Sequence, residues 1–141
     1  MKKKICIVVA NFYPDITDML EKGSVQKLIE SKHKSKLNIG YDLIYVPGAF
    51  EIPVTIAKLL KKYDAFVAIG CIIKGETSHF DLISKVVVNA IMDLSVKNKK
   101  PIGNGIITCL NKQQAIERAD PNKKNKGGEA VSAVLDTLKN F

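Results

Sequence analysis

Four short apolar runs recur along this chain, each followed by a stretch in which apolar residues return every three or four positions. The first run, residues 4–10, has the core Ile5-Cys6-Ile7-Val8-Val9, apolar on both faces as a strand in the middle of a parallel sheet must be. The others fall at 41–46, 65–69 and 102–110. The intervening spacing predicts helices over about 15–34, from 49 or 50 onward, over 78–97, from the Asn111 region to just before Pro121, and over about 127–138. Strands alternating with helices predict an α/β fold, a three-layer α/β/α sandwich around a four-stranded parallel sheet.

Particular residues sharpen these elements. In the first helix Ile16, Leu20, Leu28 and Ile29 are expected to face inward, with Gly23 a weak point in its middle and His33 solvated near its end. Pro53 is tolerated in the first turn of the second helix, where its missing N–H would have been unpaired anyway. Val54, Ile56, Ala57, Leu59 and Leu60 give that helix a broad apolar face. The third helix carries Phe80, Ile83, Val87, Ile91 and Leu94 at helical spacing. Its run Val86-Val87-Val88 adds more apolar surface than one sheet face needs, which suggests burial between subunits. Asn111 with Gln114 forms a capping pattern for the fourth helix, and Val131, Val134 and Leu138 share one face of the last.

With 141 residues, 1–141 is expected to form a single domain. No apolar run approaches a membrane span. The basic start is followed by an apolar stretch too short for a signal peptide, so a cytoplasmic protein without a membrane partner is expected. Cys6, Cys71 and Cys109 lie in apolar runs without metal-ligand spacing and read as buried thiols of a reducing compartment. The net charge of +8 is spread singly and in pairs along amphipathic segments, with no RNA-binding aromatic motif, which argues against a nucleic-acid partner.

Reactive groups concentrate where the third strand hands over to the third helix, in Gly70-Cys71-Ile72-Ile73-Lys74-Gly75-Glu76-Thr77-Ser78-His79-Phe80-Asp81. In open parallel sheets ligands bind outside the carboxyl ends of the strands, where this loop lies. Ser78 and Asp81 have the form of a capping box, and His79 then falls in the first helical turn, beside amides free to hold an anion. The same Gly, Thr, Ser and Asp cluster also reads as ordinary turn-and-cap chemistry. Phe12, at the end of the first strand, is open between stacking on a planar heterocycle and plugging the core. Glu51 sits at the end of the second strand, with the amides of Ala49 and Phe50 free for a ligand. Arg118 is the only arginine among 22 basic residues; its planar fork suits bidentate capture of phosphate or carboxylate, or a surface ion pair.

The segment Lys74-Gly75-Glu76-Thr77-Ser78-His79-Phe80-Asp81 is similar to the Arg/Lys-Gly-Glu/Ala-Thr-x-His-Phe/Tyr-Asp signature of the lumazine synthase family. Pro47-Gly48-Ala49-Phe50-Glu51-Ile52-Pro53 and Gln114-Ala115-Ile116-Glu117-Arg118-Ala119, followed by Asn125-Lys126-Gly127, match its other two signatures in order. The resemblance spans nearly the whole chain. It implies flavodoxin-like strand order and a transferase-type condensation in riboflavin biosynthesis. The substrates would be 5-amino-6-(D-ribitylamino)uracil and 3,4-dihydroxy-2-butanone 4-phosphate, with inorganic phosphate released and no metal or redox cofactor. Matched residue by residue, it implies His79 as the proton-transfer residue, Arg118 as phosphate ligand with Lys126 nearby, and Glu76 and Thr77 as the adjoining phosphate loop. Phe12 would stack on the pyrimidine, Ala49, Phe50 and Glu51 would bind the uracil and ribityl groups, and Cys71, Ile72 and Ile73 would line the pocket through backbone groups. The partners it implies are the two small molecules, further copies of the chain in a homopentamer that in some members packs into a larger shell, and riboflavin synthase.

The chain departs from the family pattern at Lys74, where many members have arginine, at Tyr13, usually asparagine, and at Gly128, often aromatic. Asn104 occupies a substrate-contact position that is often phenylalanine; its amide could meet the heterocycle or cap a turn. A binding relative without catalysis would need neither His79 nor Arg118, and no G-x-G-x-x-G follows the first strand to suggest dinucleotide binding. Chain direction adds an expectation. Phe12, Glu51 and the loop from Glu76 to His79 follow strands and share the carboxyl edge, whereas Asn104 near a strand start and Arg118 at the end of a returning helix fall toward the opposite edge. A six-residue strand spans about 20 Å, so a site using all of them would be shared between copies.

Overall fold

The computed structural model of the protein describes residues 2–35 and 38–141, the side chain of Ser35 excepted. Its strands are β1 (Lys3–Ala10), β2 (Ile39–Val46), β3 (Ala65–Ile73) and β4 (Ile102–Cys109). Its helices are α1 (Pro14–Ser35), α2 (Ile52–Leu59), α3 (His79–Asn98), α4 (Lys112–Ala119) and α5 (Lys126–Leu138). All pairings are parallel and the strand order is β2-β1-β3-β4. That order places β1 and β3 at the centre, as their two-sided apolar sequences require: every residue from Ile5 to Ala10 and from Ala65 to Cys71 is buried.

Successive side chains of a strand point to opposite faces, and here they feed two cores. Ile5, Ile7, Val9, Val67, Ile69, Ile107 and Cys109 pack with Ile16, Leu20 and Leu28 of α1, Ala115 and Ala119 of α4, and Val131, Val134 and Leu135 of α5. Cys6, Val8, Ala10, Phe66, Ala68 and Ile106 pack on the other face with Ile52 and Ile56 of α2 and Val87 and Ile91 of α3. The result is the three-layer α/β/α sandwich expected. Burial of each large aliphatic side chain contributes about 1.5–3 kcal/mol, so both helical layers are held chiefly by these rows.

Several details differ from expectation, each for a local reason. Gly23 has a packing reason that its helix propensity hides: a Cβ there would collide with Asn125 Oδ1, and one on Gly127 with the Leu20 carbonyl, so Gly23 makes room for the cap of α5 and Gly127 lets the α5 backbone approach α1. Ile29 is exposed, and on α2 Val54 and Ala57 face outward while Ile52 takes the buried position. β3 runs four residues further than expected because Gly70 to Ile73 pair with Ile106 to Cys109. The junction therefore begins at Lys74. At the start of α3 the Ser78 side chain makes no capping bond; the amide of His79 instead donates to Thr77 Oγ1 at 3.3 Å. The cap expected at α4 is present, with Gln114 N donating to Asn111 Oδ1 at 2.8 Å and Leu110 N to Gln114 Oε1 at 2.8 Å.

Candidate functional site

The carboxyl ends of β1, β2 and β3 open onto a cavity of about 280 Å³. Phe12 and Tyr13 come from the loop after β1, and Gly48, Ala49, Phe50 and Glu51 from the turn after β2. Cys71, Ile72 and Ile73 end β3, and His79 and Ile83 lie on the first turns of α3. Each group is there because a strand ends and the chain must turn, which is why three sequence-distant segments converge.

The walls differ in character. Phe12 is 68% exposed and stands edge-on to Tyr13, with ring centroids 5.0 Å apart and planes at 84°, so one face of its ring is held ready for a flat partner. Ala49–Glu51 form a single 3-10 turn whose lead residue, Gly48, is extended; Glu51 folds its carboxylate over Gly48, close enough that a Cβ there would sit 3.2 Å from Oε1. His79 is exposed on the opposite wall, its main-chain amide committed to Thr77. The floor is inert by comparison. Burial, reinforced by neighbouring Cys109, pushes the Cys71 thiol up to about 12, so it stays protonated and is no nucleophile at neutral pH.

Glu76 and Thr77 are exposed in the loop that leads into α3 and do not line the cavity. Since no side chain of Ser78 caps the helix, its first amides, apart from that of His79, are left to solvent or to an anion. Lys126 lies at the start of α5, where its ammonium pairs with Glu129 at 3.2 Å, and also stands apart from the cavity lining.

Arg118 and Asn104 occupy the open edge of β4. The Lys74 amide donates to the Cys109 carbonyl and the Phe66 amide to the Pro101 carbonyl, so odd-numbered residues of β4 bond toward β3. By alternation, the Ile106 amide and the Thr108 carbonyl point outward. Asn104 Oδ1 accepts from Ile106 N at 3.1 Å. Arg118 Nη1 donates to the Thr108 carbonyl at 3.3 Å, to Gln114 Oε1 at 3.4 Å and to Cys109 Sγ at 3.6 Å. Its Nε and Nη2 have no hydrogen-bond partner among the described residues. The expectation that Arg118 lies toward the amino edge is thus corrected. At eight residues α4 is only about 12 Å long, short enough for the arginine side chain to reach back to the carboxyl end of β4. Asn104, paired with Ala68, is the third residue of β4, near the strand start as expected. Arg118 is separated from the cavity sideways, across the sheet; Asn104 is separated both sideways and along it, five residues before the end of β4.

Tyr13, Gly48 and Ile83 line the cavity without having been singled out as site residues; adjacency to Phe12, to Ala49 and, one helical turn on, to His79 is the signal that finds them. A larger, shallower depression of about 650 Å³ lies against α4 between Lys112, Ile116, Glu117 and Lys124, with no histidine. Among the described residues no cluster of His, Cys, Asp and Glu could hold a metal ion, and no helix is long and apolar enough to cross a membrane.

Comparison with known proteins bears on this geometry. A family model described as 6,7-dimethyl-8-ribityllumazine synthase matches residues 2–141. A protein of that name from Nitrobacter hamburgensis is 45% identical over 140 residues, covering 94% of this chain and 82% of its own length. One from Bartonella tribocorum is 46% identical over 140 residues, covering 96% and 89%. One from Agrobacterium fabrum is 43% identical over 144 residues, covering 97% and 93%.

Proposed function

The chain belongs to the 6,7-dimethyl-8-ribityllumazine synthase family, and on that premise we propose that the cavity over β1, β2 and β3 is the substrate site of its activity in riboflavin biosynthesis. The enzyme is a transferase-type condensing enzyme that joins 5-amino-6-(D-ribitylamino)uracil to 3,4-dihydroxy-2-butanone 4-phosphate. The observation that carries the assignment of the site is the convergence of Phe12, Glu51 and His79 from three strand ends on one cavity.

In this reading Phe12 stacks on the pyrimidine, while the Ala49–Glu51 turn meets the uracil and ribityl groups. Cys71, Ile72 and Ile73 form the floor through backbone groups. The pyrimidine amine condenses with the ketone and loses water to form an imine. Elimination of phosphate, closure by the ribityl-bearing nitrogen and loss of a second water give the product. Each step moves protons and needs no protein nucleophile, so His79 serves as proton carrier and positioning supplies much of the rate. The uncapped start of α3, with Glu76 and Thr77 leading into it, receives the phosphate.

Arg118, Lys126 and Asn104 complete the site from a second copy, because within one chain they stand outside the cavity. A homo-oligomer has the apolar surface it needs: Leu82, Val86, Met92 and Val96 on α3 and Val54 on α2 are all exposed in the single chain. The contact joins two different surfaces, so it is heterologous and closes into a ring, for which the family suggests a pentamer. Residues 1–141 act as one domain, in the cytoplasm, with riboflavin synthase the further partner the family suggests.

The direct test mixes pure protein with both substrates and follows the fluorescent lumazine; no acceleration over buffer sinks the reading. Subunit sharing is tested by combining His79→Ala and Arg118→Ala proteins under conditions that exchange subunits. Interfaces carrying both native residues should restore activity well above the sum of the two variants. Absence of any gain, with exchange verified by mass, returns the site to a single chain.

A further inference from the structure

We propose that Gln114 is a positioning residue for Arg118, setting the orientation in which the guanidinium meets the phosphate of the four-carbon substrate; this rests on the reading of Arg118 as phosphate ligand. The side chain is fixed by the Leu110 amide. Its own main-chain amide is capped by Asn111 at 2.8 Å, and its Oε1 accepts from the Leu110 amide at 2.8 Å. With that oxygen held in place, its remaining acceptor capacity faces Arg118 Nη1 at 3.4 Å. The Thr108 carbonyl at 3.3 Å and Cys109 Sγ at 3.6 Å complete a three-sided seat.

The seat holds one corner of the fork and leaves the rest. Nη1 is occupied, while Nε and Nη2, the pair that would grip two oxygens of one phosphate, have no partner among the described residues. Two of the three seat members are a main-chain carbonyl and a thiol belonging to β4 itself. Gln114 alone lies on the same helix face as Arg118, one turn earlier, so it ties the fork to the turn where β4 hands over to α4. All three contacts are long. They bias the fork without consuming its charge, which suits a group that must let phosphate go after elimination.

The experiment compares the assembled wild-type enzyme with Gln114→Met, which keeps length and helix propensity but removes the acceptor. Asn111→Ala serves as control, removing a cap at the same helix start without touching Arg118. Gln114→Met should raise KM for the phosphorylated substrate about three- to tenfold and leave that for the pyrimidine unchanged, as expected for loss of one long hydrogen bond worth no more than an ordinary neutral one. Asn111→Ala should lower the unfolding temperature and move neither constant. Gln114→Glu retains both acceptor bonds but sets a carboxylate against the fork, so it should fold as well as wild type and still weaken the phosphorylated substrate. A merely structural role predicts that Gln114→Met and Asn111→Ala behave alike and that Gln114→Glu is neutral; either result overturns the proposal. Arg118→Met, measured in parallel, separates the failures. If it leaves the phosphorylated substrate unaffected, the phosphate-ligand reading falls and this inference with it; if it weakens that substrate while Gln114→Met does not, only the inference falls.

Discussion

The cavity over the strand ends and the open edge of β4 both carry residues that match family signatures, yet they hold them in opposite ways. In the cavity, Phe12, Phe50 and His79 present exposed side chains, and the fixed element is the backbone that turns beneath them. At the edge the side chains themselves are tied down, Asn104 to the Ile106 amide and Arg118 to three acceptors. Side chains at the edge are oriented beforehand by an otherwise unpaired strand, which under the proposed sharing would let them serve a neighbouring chain's site. One chain thus carries exposed side chains over a fixed backbone on one flank and tethered side chains on the other.

The largest effect that would break this contrast is on rate. Because His79 is exposed and its side chain takes no part in the fold, His79→Ala should slow catalysis about ten- to a thousandfold. That is the lower part of the usual range for a positioned acid or base and below it, since positioning supplies much of the rate. Its stability should stay within about 0.5 kcal/mol of wild type. Steady-state kinetics and urea unfolding read the two separately. A variant that loses activity only in proportion to its folded fraction would make His79 a scaffold residue and erase the distinction.

A smaller effect sharpens the other side. Asn104→Ala removes the acceptor that covers the Ile106 amide, and that amide faces solvent in the single chain, so stability should fall by no more than about 1 kcal/mol. If Asn104 also meets the heterocycle from a second copy, KM for the pyrimidine should rise about two- to fivefold. An unchanged KM alongside the stability loss would make Asn104 a cover for the strand edge alone.

The contrast also marks what was legible in the sequence. The fold and one flank of the site could be read because both follow from periodicity: two-sided apolar runs identify β1 and β3, and ligands gather where parallel strands end, which points to Phe12, Glu51 and His79. What escaped depends on distances between elements. Gly70 to Ile73 read as part of a turn because glycine, threonine and serine follow, but pairing with β4 makes them strand. Gly23 read as a weakness because Asn125, whose side chain fills the space beside it, is far along the chain, and only packing brings them together. Arg118 was sent to the wrong edge since the length of α4 and the reach of a long side chain are not encoded in apolar spacing. Gln114 was recognised as a cap, yet its second bond is invisible without the arginine's position.

The effect furthest from catalysis concerns the floor on which the cavity rests. Burial raises the thiols of Cys71, beside Cys109, and of Cys6, near Asp42, from 9.0 to about 12. In the unfolded chain the same thiols ionise near the lower value, so above it the unfolded state sheds protons that the folded state keeps. The stabilisation linked to these protons is therefore whole below pH 9 and is lost as pH rises toward 12. The slope is at most about 1.4 kcal/mol per pH unit for each thiol. Urea unfolding at intervals from pH 8 to 11 should show this decline, and Cys71→Ala, with one titrating thiol fewer, should show a shallower one. At pH 8 a thiol reagent should leave Cys71 unmodified until denaturant is added. Rapid modification of the native protein, or identical slopes for wild type and variant, would mean that the floor is open to solvent. The cavity would then have a nucleophile at its base, and the division between an inert floor and a reactive rim would fail.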